Sequence, residues 1–316
     1  MLNRRILRIK AFKVLYSYAE NPSMDLKEAQ RQLRLSCEAT RDLYLFLLAL
    51  VRPLTEEAAA RIEAARTKFN PTEEERNPNL RFVRNRIAPL LSEDPDFSKI
   101  VSRKKLSWDQ YDAFLRKLYE SVRSKDWFKA YLESDDDSLA ADAALFTRIF
   151  EEELEDNADL EAILEDMSIY WNDDAADVIS FVSKTIRNFD EAQGEDQELL
   201  PQFRDKEDLE FALKLLKQSI YDEADYRKMI FERTKNWDAD RVAFLDTIIM
   251  QTALAEICNF PTIPVNVSIN EYIEIAKSYS TAKSGIFING LLDAIAKELI
   301  ESKKVNKVVY TNAYKK

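Results

Sequence analysis

Arginine side chains cluster at the beginning of the chain. Arg4, Arg5 and Arg8 lie within about one helical turn of one another, and Lys10 and Lys13 follow them. A guanidinium group presents its N–H donors in a planar fork that matches the oxygens of a phosphate. The cluster therefore favours contact with a nucleic-acid backbone, although a basic first turn is also typical of an ordinary solvated surface.

Two tyrosines follow on the same predicted helix. Tyr16 and Tyr18 offer aromatic faces on which unpaired bases can stack. Aromatic residues at helical spacing are also typical of a helix face that packs into a core. The spacing alone leaves both interpretations open.

Histidine is absent from the whole sequence. This removes the most common general base, the most common transition-metal ligand and the usual partner of a serine or cysteine nucleophile. Cys37 and Cys258 lie far apart in apolar stretches without metal-ligand spacing, so we expect buried, reduced thiols. We therefore expect neither an enzyme nor a bound cofactor.

Acidic residues are concentrated in residues 133–177, which contain 17 Asp and Glu and a single basic residue, Arg148. Hard cations bind carboxylate oxygens, but the EF-hand order is absent, and helical di-iron sites also use histidine. We expect no metal site here. The block is interpreted as a solvated helix face, or as a surface that repels nucleic acid and directs RNA to the basic end.

Charge is distributed unevenly along the chain. Residues 1–132 contain 26 Lys and Arg against 18 Asp and Glu, whereas the whole chain has a net charge of −11. A phosphate backbone responds to charges within roughly 10 Å, so the basic end can bind it despite the acidic total. No apolar run is long enough to span a bilayer, and no signal-peptide core follows the first arginines. We expect a cytoplasmic protein without membrane contact.

The elements that position these residues are predicted to be helices. Only three glycines occur in 316 residues, whereas sheets with tight hairpins normally need more. Apolar residues instead recur at helix spacing. The helices are predicted at residues 3–20, 25–52, 53–69, 80–91, 108–131, 139–154, 160–167, 175–189, 208–231 and 238–258. A linker is predicted at residues 191–205, which contain Gly194 and Pro201.

Two further helices are predicted near the end of the sequence. Ser268 and Glu271 have the spacing of a capping box that opens the first of them, and Ser284 can cap the second. Gly285 and Gly290 lie together in this second helix. We expect Gly285 to allow a tight helix start and Gly290 to allow two helices to approach closely.

Residues 264–277 and 283–293 resemble the carboxy-terminal signature of the NusB family, which reads approximately P-x-x-V-x-I-N-E-x-I-E-L-A-K and then K-S-x-x-F-V-N-G-x-L-D. The structural residues of this motif are Asn270, Glu271, Asn289 and Gly290. Upstream, residues 235–237 and the helix through Asp246 and Glu256 are also similar to the family. The arginine-rich segment and its Val14–Leu15–Tyr16 continuation resemble the family's first helix.

The resemblance implies an all-α fold of two helical subdomains without catalytic activity. It implies a transcription antitermination factor that binds the boxA element of single-stranded nascent RNA together with NusE, a small-subunit ribosomal protein. The complex acts on the elongating RNA polymerase, chiefly during ribosomal RNA synthesis. The RNA-binding residues carried over from the family are Arg4, Arg5, Arg8, Tyr16, Lys283, Ser284 and Phe287.

The chain also departs from the family pattern. Lys283 stands where many members have an acidic residue, which should add to the attraction for phosphate and alter base preference. The larger departure is a long stretch between the two similar segments. We therefore divide the chain into the first NusB-like helix at 1–20, a mostly helical insertion at 21–206, a NusB-like bundle at 207–302 and a basic tail at 303–316.

Two other functions remain open on the sequence. A helical scaffold for protein interactions that has lost RNA binding would fit the acidic balance and the insertion. A NusB-like module of an RNA cytosine methyltransferase is the second alternative, but no glycine-rich cofactor loop or catalytic cysteine motif follows Asp293. Reversal of charge at the arginines of the first helix would separate RNA binding from a scaffold.

Overall fold

The computed structural model describes residues 1–189, 198–234, 243–281 and 283–307. All regular secondary structure in these ranges is helical, and the single β-bridge joins Leu2 to Phe203. The prediction of an all-α fold is confirmed. Part of the predicted linker, the similar segment at 235–237 and most of the basic tail lie outside the described residues.

The chain forms two compact units. The first unit contains Met1–Cys37 and Phe203–Lys316, and the second contains Glu38–Gln202. The boundary between them therefore falls within one helix, Leu26–Leu48. The division of the chain into an insertion at 21–206 and flanking NusB-like segments stays a prediction.

The first unit is built from helices at both ends of the chain. They are α1 (Arg4–Glu20), the start of α2 (Leu26–Leu48), α12 (Asp208–Tyr221), α13 (Glu223–Arg233), α14 (Phe244–Asn259), α15 (Val265–Tyr279) and α16 (Ser284–Glu301). Helix α1 begins at the cap residue Asn3, whose side chain accepts a hydrogen bond from the N–H of Ile6 at 3.0 Å. It ends before Asn21 and Pro22, because proline cannot continue a helix.

Helix α14 is the centre of the first unit. Residues 246–257 are buried without interruption, as expected for a helix that is surrounded by others. Helices α1, α12, α13, α15 and α16 all pack against it. Asp246 and Glu256 are acidic residues within this buried stretch, so each needs a partner inside the unit.

The second unit contains the end of α2 and the helices between it and Gln202. They are α3 (Val51–Arg66), α4 (Glu73–Arg76), α5 (Ile87–Glu93), α6 (Pro95–Lys104), α7 (Asp112–Ser124), α8 (Asp126–Glu133), α9 (Leu139–Ile149), a π-helical turn (Phe150–Leu154), α10 (Ala158–Met167), a 3-10 turn (Asn172–Asp174) and α11 (Ala175–Arg187). Its core is rich in aromatic rings. Phe46 stacks on Trp108 with centroids 4.1 Å apart, and the Trp108 indole donates a hydrogen bond to the Phe46 carbonyl.

Part of the acidic block lies inside the second unit. Asp142 and Glu153 are buried, with their oxygens bonded to protein groups. Asp142 accepts hydrogen bonds from the Tyr131 hydroxyl at 2.6 Å and from the Arg86 N–H at 2.8 Å. Glu153 accepts from Ser121 and forms an ion pair with Lys125 at 2.7 Å. Most other acids of the block are exposed, as the interpretation of a solvated face requires, but these two carboxylates stabilise the fold of this unit.

Some predicted helices are interrupted in the structure. The helix predicted at 208–231 is two helices that meet at Asp222, and the one predicted at 108–131 is divided at Lys125. The helix predicted from residue 80 begins only at Ile87, after Asn85, whose side chain accepts from the N–H of Ala88. The helix predicted to begin at Pro53 begins two residues earlier, at Val51, and the proline lies in its first turn.

The capping box predicted at Ser268 is wrong. Helix α15 begins at Val265, one turn earlier, and the Ser268 side chain points into the core rather than to the helix end. Ser284 is the first residue of α16 and not its cap, since Lys283 holds the capping position. Both serines instead bond to residues that belong to the candidate site.

Cysteines and glycines are placed as follows. Both cysteines are in the reduced thiol form, with Cys37 buried and Cys258 partly buried. A Cβ atom at Gly285 would lie 3.6 Å from a Lys277 side-chain atom, so the close approach of α15 and α16 is at this glycine. Gly290 is exposed, and a Cβ atom there would meet no side chain or neighbouring helix within 4 Å, so the expectation that it allows helix approach is wrong.

Among the described residues, no helix combines the length and apolar character that crossing a lipid bilayer requires.

Candidate nucleic-acid interface

Arg4 is held by a carboxylate of the neighbouring helix. Its guanidinium lies 2.9 Å from the Asp208 carboxylate, at the first residue of α12. The same guanidinium lies 4.2 Å from the centre of the Phe211 ring, which adds a cation–π contact. Asp208 is buried whereas 40% of the Arg4 side chain remains exposed. Arg4 can therefore still meet a ligand from solvent.

Arg5 forms a bidentate ion pair with Glu271. Two guanidinium nitrogens donate to the two carboxylate oxygens at 3.0 and 2.9 Å, in the geometry that a phosphate would also satisfy. The hydrogen bonds from Arg5 hold the pKa of Glu271 below its ordinary value. Because 54% of the Arg5 side chain is exposed, this arginine faces solvent while joined to α15.

Arg8 lies in the interior. It donates to both oxygens of Glu256 at 2.7 and 2.9 Å, and the side chains of the two residues are 5% and 0% exposed. Burial alone would lower the pKa of Arg8, but the hydrogen bonds and charges of Glu256 and Glu271 raise it. In this position Arg8 has no access to a ligand in solvent, which separates it from Arg4 and Arg5.

Glu256 collects further donors from α15. The Ser268 hydroxyl donates to it at 2.7 Å and the Tyr272 hydroxyl at 3.3 Å. Burial raises the pKa of Tyr272 well above its ordinary value, so this hydroxyl remains a donor. A buried carboxylate with this many donors is well stabilised. The network ties α1, α14 and α15 together below the exposed arginines.

Tyr16 lies farther along α1 and is partly exposed. Its ring packs against the ring of Phe244, the first residue of α14, with centroids 5.6 Å apart. Both side chains retain 37% exposure. Tyr16 is therefore packed against Phe244 and also partly open to solvent.

The turn between α15 and α16 is held by serine and threonine hydroxyls. Ser284 is buried, and its hydroxyl lies 3.0 Å from that of Ser280 and 2.8 Å from that of Thr281. Ser280 in turn donates to Asp246 in the first turn of α14 at 2.5 Å. Ser284 therefore has a positioning role in this arrangement.

Next to it, Lys283 is exposed and Phe287 is partly buried. Lys283 occupies the position immediately before α16, so its backbone and its charge both lie at the amino end of that helix. Of the predicted motif residues, Glu271 holds Arg5, whereas Asn270, Asn289 and Gly290 are exposed on their helices. The motif is thus partly a structural clamp and partly surface.

The first turn of α14 contacts both Tyr16 and the turn that carries Lys283. Phe244 contacts Tyr16 of α1, and Asp246, one half-turn on, accepts the hydrogen bond from the turn that carries Lys283. The sequence did not predict the carboxylates that hold the arginines, Asp208 and Glu256, or the ring of Phe244. For Glu256 a signal existed, since it lies in the apolar second half of the helix, where it is the one charged residue.

Part of the chain is similar in sequence to known proteins. The NusB family profile matches residues 175–297, a range that begins at the start of α11 and ends within α16. The range does not include α1. It starts inside the stretch predicted as an insertion, so residues 175–206 also carry the family pattern.

Three curated relatives share the description transcription antitermination protein NusB. The chain is 32% identical to that of Salinibacter ruber over 132 residues, which cover 40% of this chain and 82% of the relative. It is 42% identical to that of Chloroherpeton thalassium over 96 residues, which cover 30% of this chain and 45% of the relative. It is 40% identical to that of Finegoldia magna over 92 residues, covering 29% of this chain and 67% of the relative.

A solved structure of NusB from T. maritima is 32% identical in sequence and covers 39% of this chain and 87% of its own, with a TM-score of 0.30. The match to the Salinibacter ruber protein extends over most of that relative at 32% identity. This chain belongs to the NusB family.

Proposed function

We propose that this chain is a transcription antitermination factor that binds boxA-type single-stranded RNA together with NusE and acts on the transcription elongation complex. Membership of the NusB family supports antitermination, and the names of the relatives agree with it. The function is binding rather than catalysis. The RNA would lie along α1 and the start of α16, where Arg4, Arg5, Tyr16 and Lys283 are accessible.

The observation that carries the proposal is the arrangement of Arg5 and Glu271. A half-exposed guanidinium is already aligned with two carboxylate oxygens, and a phosphate can take the same two hydrogen bonds. The arginine is therefore preorganised for an anion. Arg8, being buried against Glu256, is assigned a positioning role in the same proposal.

A matched pair of variants tests this function. Arg5→Gln and Glu271→Gln break the same ion pair, but only the first removes the cation. We expect Arg5→Gln to weaken the binding of a fluorescently labelled boxA-like RNA. The slope of log K against log salt should fall by about 0.7 for each phosphate that the protein no longer neutralises. Glu271→Gln should bind at least as tightly as the wild type.

The measurement is fluorescence anisotropy at two salt concentrations, with and without purified NusE. Salt-sensitive binding that NusE tightens supports the proposal. A wild-type protein that ignores the RNA under both conditions would overturn it.

A helical scaffold for protein interactions is the second candidate. It is favoured by the ion pairing of all three arginines of α1 with carboxylates of the first unit, which a purely structural role would also produce. The scaffold predicts binding to NusE without any effect of RNA. Equal loss of NusE binding in Arg5→Gln and Glu271→Gln would favour it.

The extent of the inserted segment belongs to the same proposal. Because the family profile begins at residue 175, we infer that the insertion ends before α11 rather than at residue 206. Deletion of residues 49–174 retains α11, whereas deletion of residues 49–206 removes it. Circular dichroism of the two shortened chains would probe this boundary, and a folded chain from the first deletion alone would support it.

A further inference from the structure

Phe244 and Tyr16 form a pair of aromatic rings at the surface of the first unit. Their centroids are 5.6 Å apart with planes inclined at 59°, and each side chain keeps 37% of its surface exposed. Single exposed apolar side chains are common and need no explanation. Two partly exposed rings that contact each other offer a larger aromatic surface than one ring alone.

A cation lies beside one of these two rings. The Arg227 guanidinium of α13 lies 5.9 Å from the centre of the Phe244 ring, within the range of a cation–π contact. Arg227 is also paired with Glu223 at 2.9 Å, which directs its side chain along α13. Arg227 therefore lies beside Phe244, which the sequence did not assign to the site.

The same pattern repeats one turn earlier on α1. Lys13, three residues before Tyr16, lies with its ammonium group 4.9 Å from the centre of the Tyr279 ring. Tyr279 also packs against Phe12, with centroids 5.7 Å apart. Residues 12–16 of α1 thus bring aromatic rings of α14 and α15 to one side of the helix, with a cation beside each ring.

Aromatic faces interleaved with cations are the chemistry that binds single-stranded nucleic acid. Bases stack on the rings, and the cations attract the phosphates between them. A polypeptide partner would use the same rings, but the flanking cations favour a polyanion. The surface lies on α1 and the first turn of α14, where the candidate interface already places Tyr16.

We propose that Phe244 and Tyr16 together form a stacking platform for an unpaired RNA base, with Arg227 as its flanking cation. The proposal rests on the proposed RNA-binding function and adds Phe244 and Arg227 to that site. Tyr16 alone offers one partly exposed ring, whereas the pair offers two partly exposed rings in contact.

Phe244→Leu is the informative variant, because leucine keeps an apolar side chain against Tyr16 but has no ring face. We expect it to bind labelled single-stranded RNA at least about fivefold more weakly, as for the loss of one base–aromatic stack. Phe244→Trp should retain or improve binding. Tyr221→Leu is the matched control, since Tyr221 is also exposed and has a lysine, Lys217, 5.3 Å from its ring.

Replacing single nucleotides by abasic ones identifies the stack. At one position, removal of the base should eliminate the difference between wild type and Phe244→Leu. A defect in Phe244→Leu that is the same for every abasic RNA, or an affinity equal to the wild type, would overturn the platform while leaving RNA binding intact. Wild-type protein that binds no RNA would overturn the proposed function and the platform with it.

Thermal unfolding of each variant, followed by circular dichroism, shows whether the variant is folded. If Phe244→Leu is unfolded, the comparison passes to Phe244→Trp and Arg227→Gln. The proposal would then be supported if Arg227→Gln binds RNA more weakly and Phe244→Trp binds it more tightly than the wild type. It would be contradicted if Arg227→Gln has wild-type affinity and Phe244→Trp shows the same base dependence as the wild type.

Discussion

The guanidinium of Arg8 and the carboxylate of Glu256 form a bidentate ion pair inside the first unit, at 2.7 and 2.9 Å. The two residues are separated by 248 positions in the sequence. Their side chains are almost completely buried. The pair therefore joins the amino-terminal helix to the central helix α14, and it supports the exposed Arg5 one turn away.

Arg8→Ala should destabilise the protein strongly, because it leaves the buried carboxylate of Glu256 without its cation. We expect a loss of about 3–5 kcal/mol in the free energy of unfolding, measured with urea. Arg5→Ala, in contrast, should cost no more than about 1 kcal/mol, since that ion pair is half-exposed.

The double variant Arg8→Met with Glu256→Gln controls for the charge itself. It should be less destabilised than the sum of the single variants, because neither charge is left buried alone. Additive losses would mean that the two residues act independently.

The ion pair between Arg5 and Glu271 makes a pH-dependent contribution to stability. Arg5 lowers the pKa of Glu271 below its ordinary value of 4.5, so the folded protein binds this proton more weakly than the unfolded chain. The stabilisation is therefore complete above pH 4.5 and is lost as the pH falls through the lowered pKa. Urea unfolding between pH 6 and pH 3 should show the wild type losing its advantage over Glu271→Gln.

Other carboxylates also titrate in that range, so the informative quantity is the difference between the two proteins rather than the stability of either. A difference that stays constant down to pH 3 would contradict a role of Glu271 in this linkage.

Local patterns predicted the helices well where the apolar spacing was regular. Helix α1 agrees with its predicted span, and α11 differs from it by only two residues at its end. The break at Asp222 was missed because it contains neither proline nor glycine, and helix propensities differ too little to end a helix there.

The candidate site was only partly predictable. The arginines and Tyr16 came from the sequence, but the burial of Arg8 depends on Glu256, which only the packing of α1 against α14 brings near. The burial of part of the acidic block was also not predicted. Asp142 lies on the same face of α9 as the buried residues Leu139 and Phe146, three and four residues away. The helix spacing therefore indicated that Asp142 is buried, but the prediction considered only the net charge of the block.

Gly290 lies in the middle of α16 without any neighbour that excludes a side chain. Gly290→Ala should raise the free energy of unfolding by about 1 kcal/mol, because alanine loses less backbone entropy in a helix. Gly285→Ala should change it less, since the added Cβ meets Lys277 and Ile273 at 3.6 and 3.7 Å. Urea denaturation of both variants provides the test, and a destabilised Gly290→Ala would contradict it.

Lys283 should contribute to RNA binding through its charge. It is exposed immediately before α16, so Lys283→Glu replaces an attractive charge by a repulsive one at that surface while leaving the serine network of the turn in place. We expect weaker binding of labelled RNA and a smaller dependence of affinity on salt, because fewer counterions are released. Lys99→Glu makes the same change in net charge at an exposed position of α6 in the second unit, so it separates a local effect from a general one. If the two variants weaken RNA binding equally at every salt concentration, Lys283 acts only through the net charge of the protein and is not part of the interface.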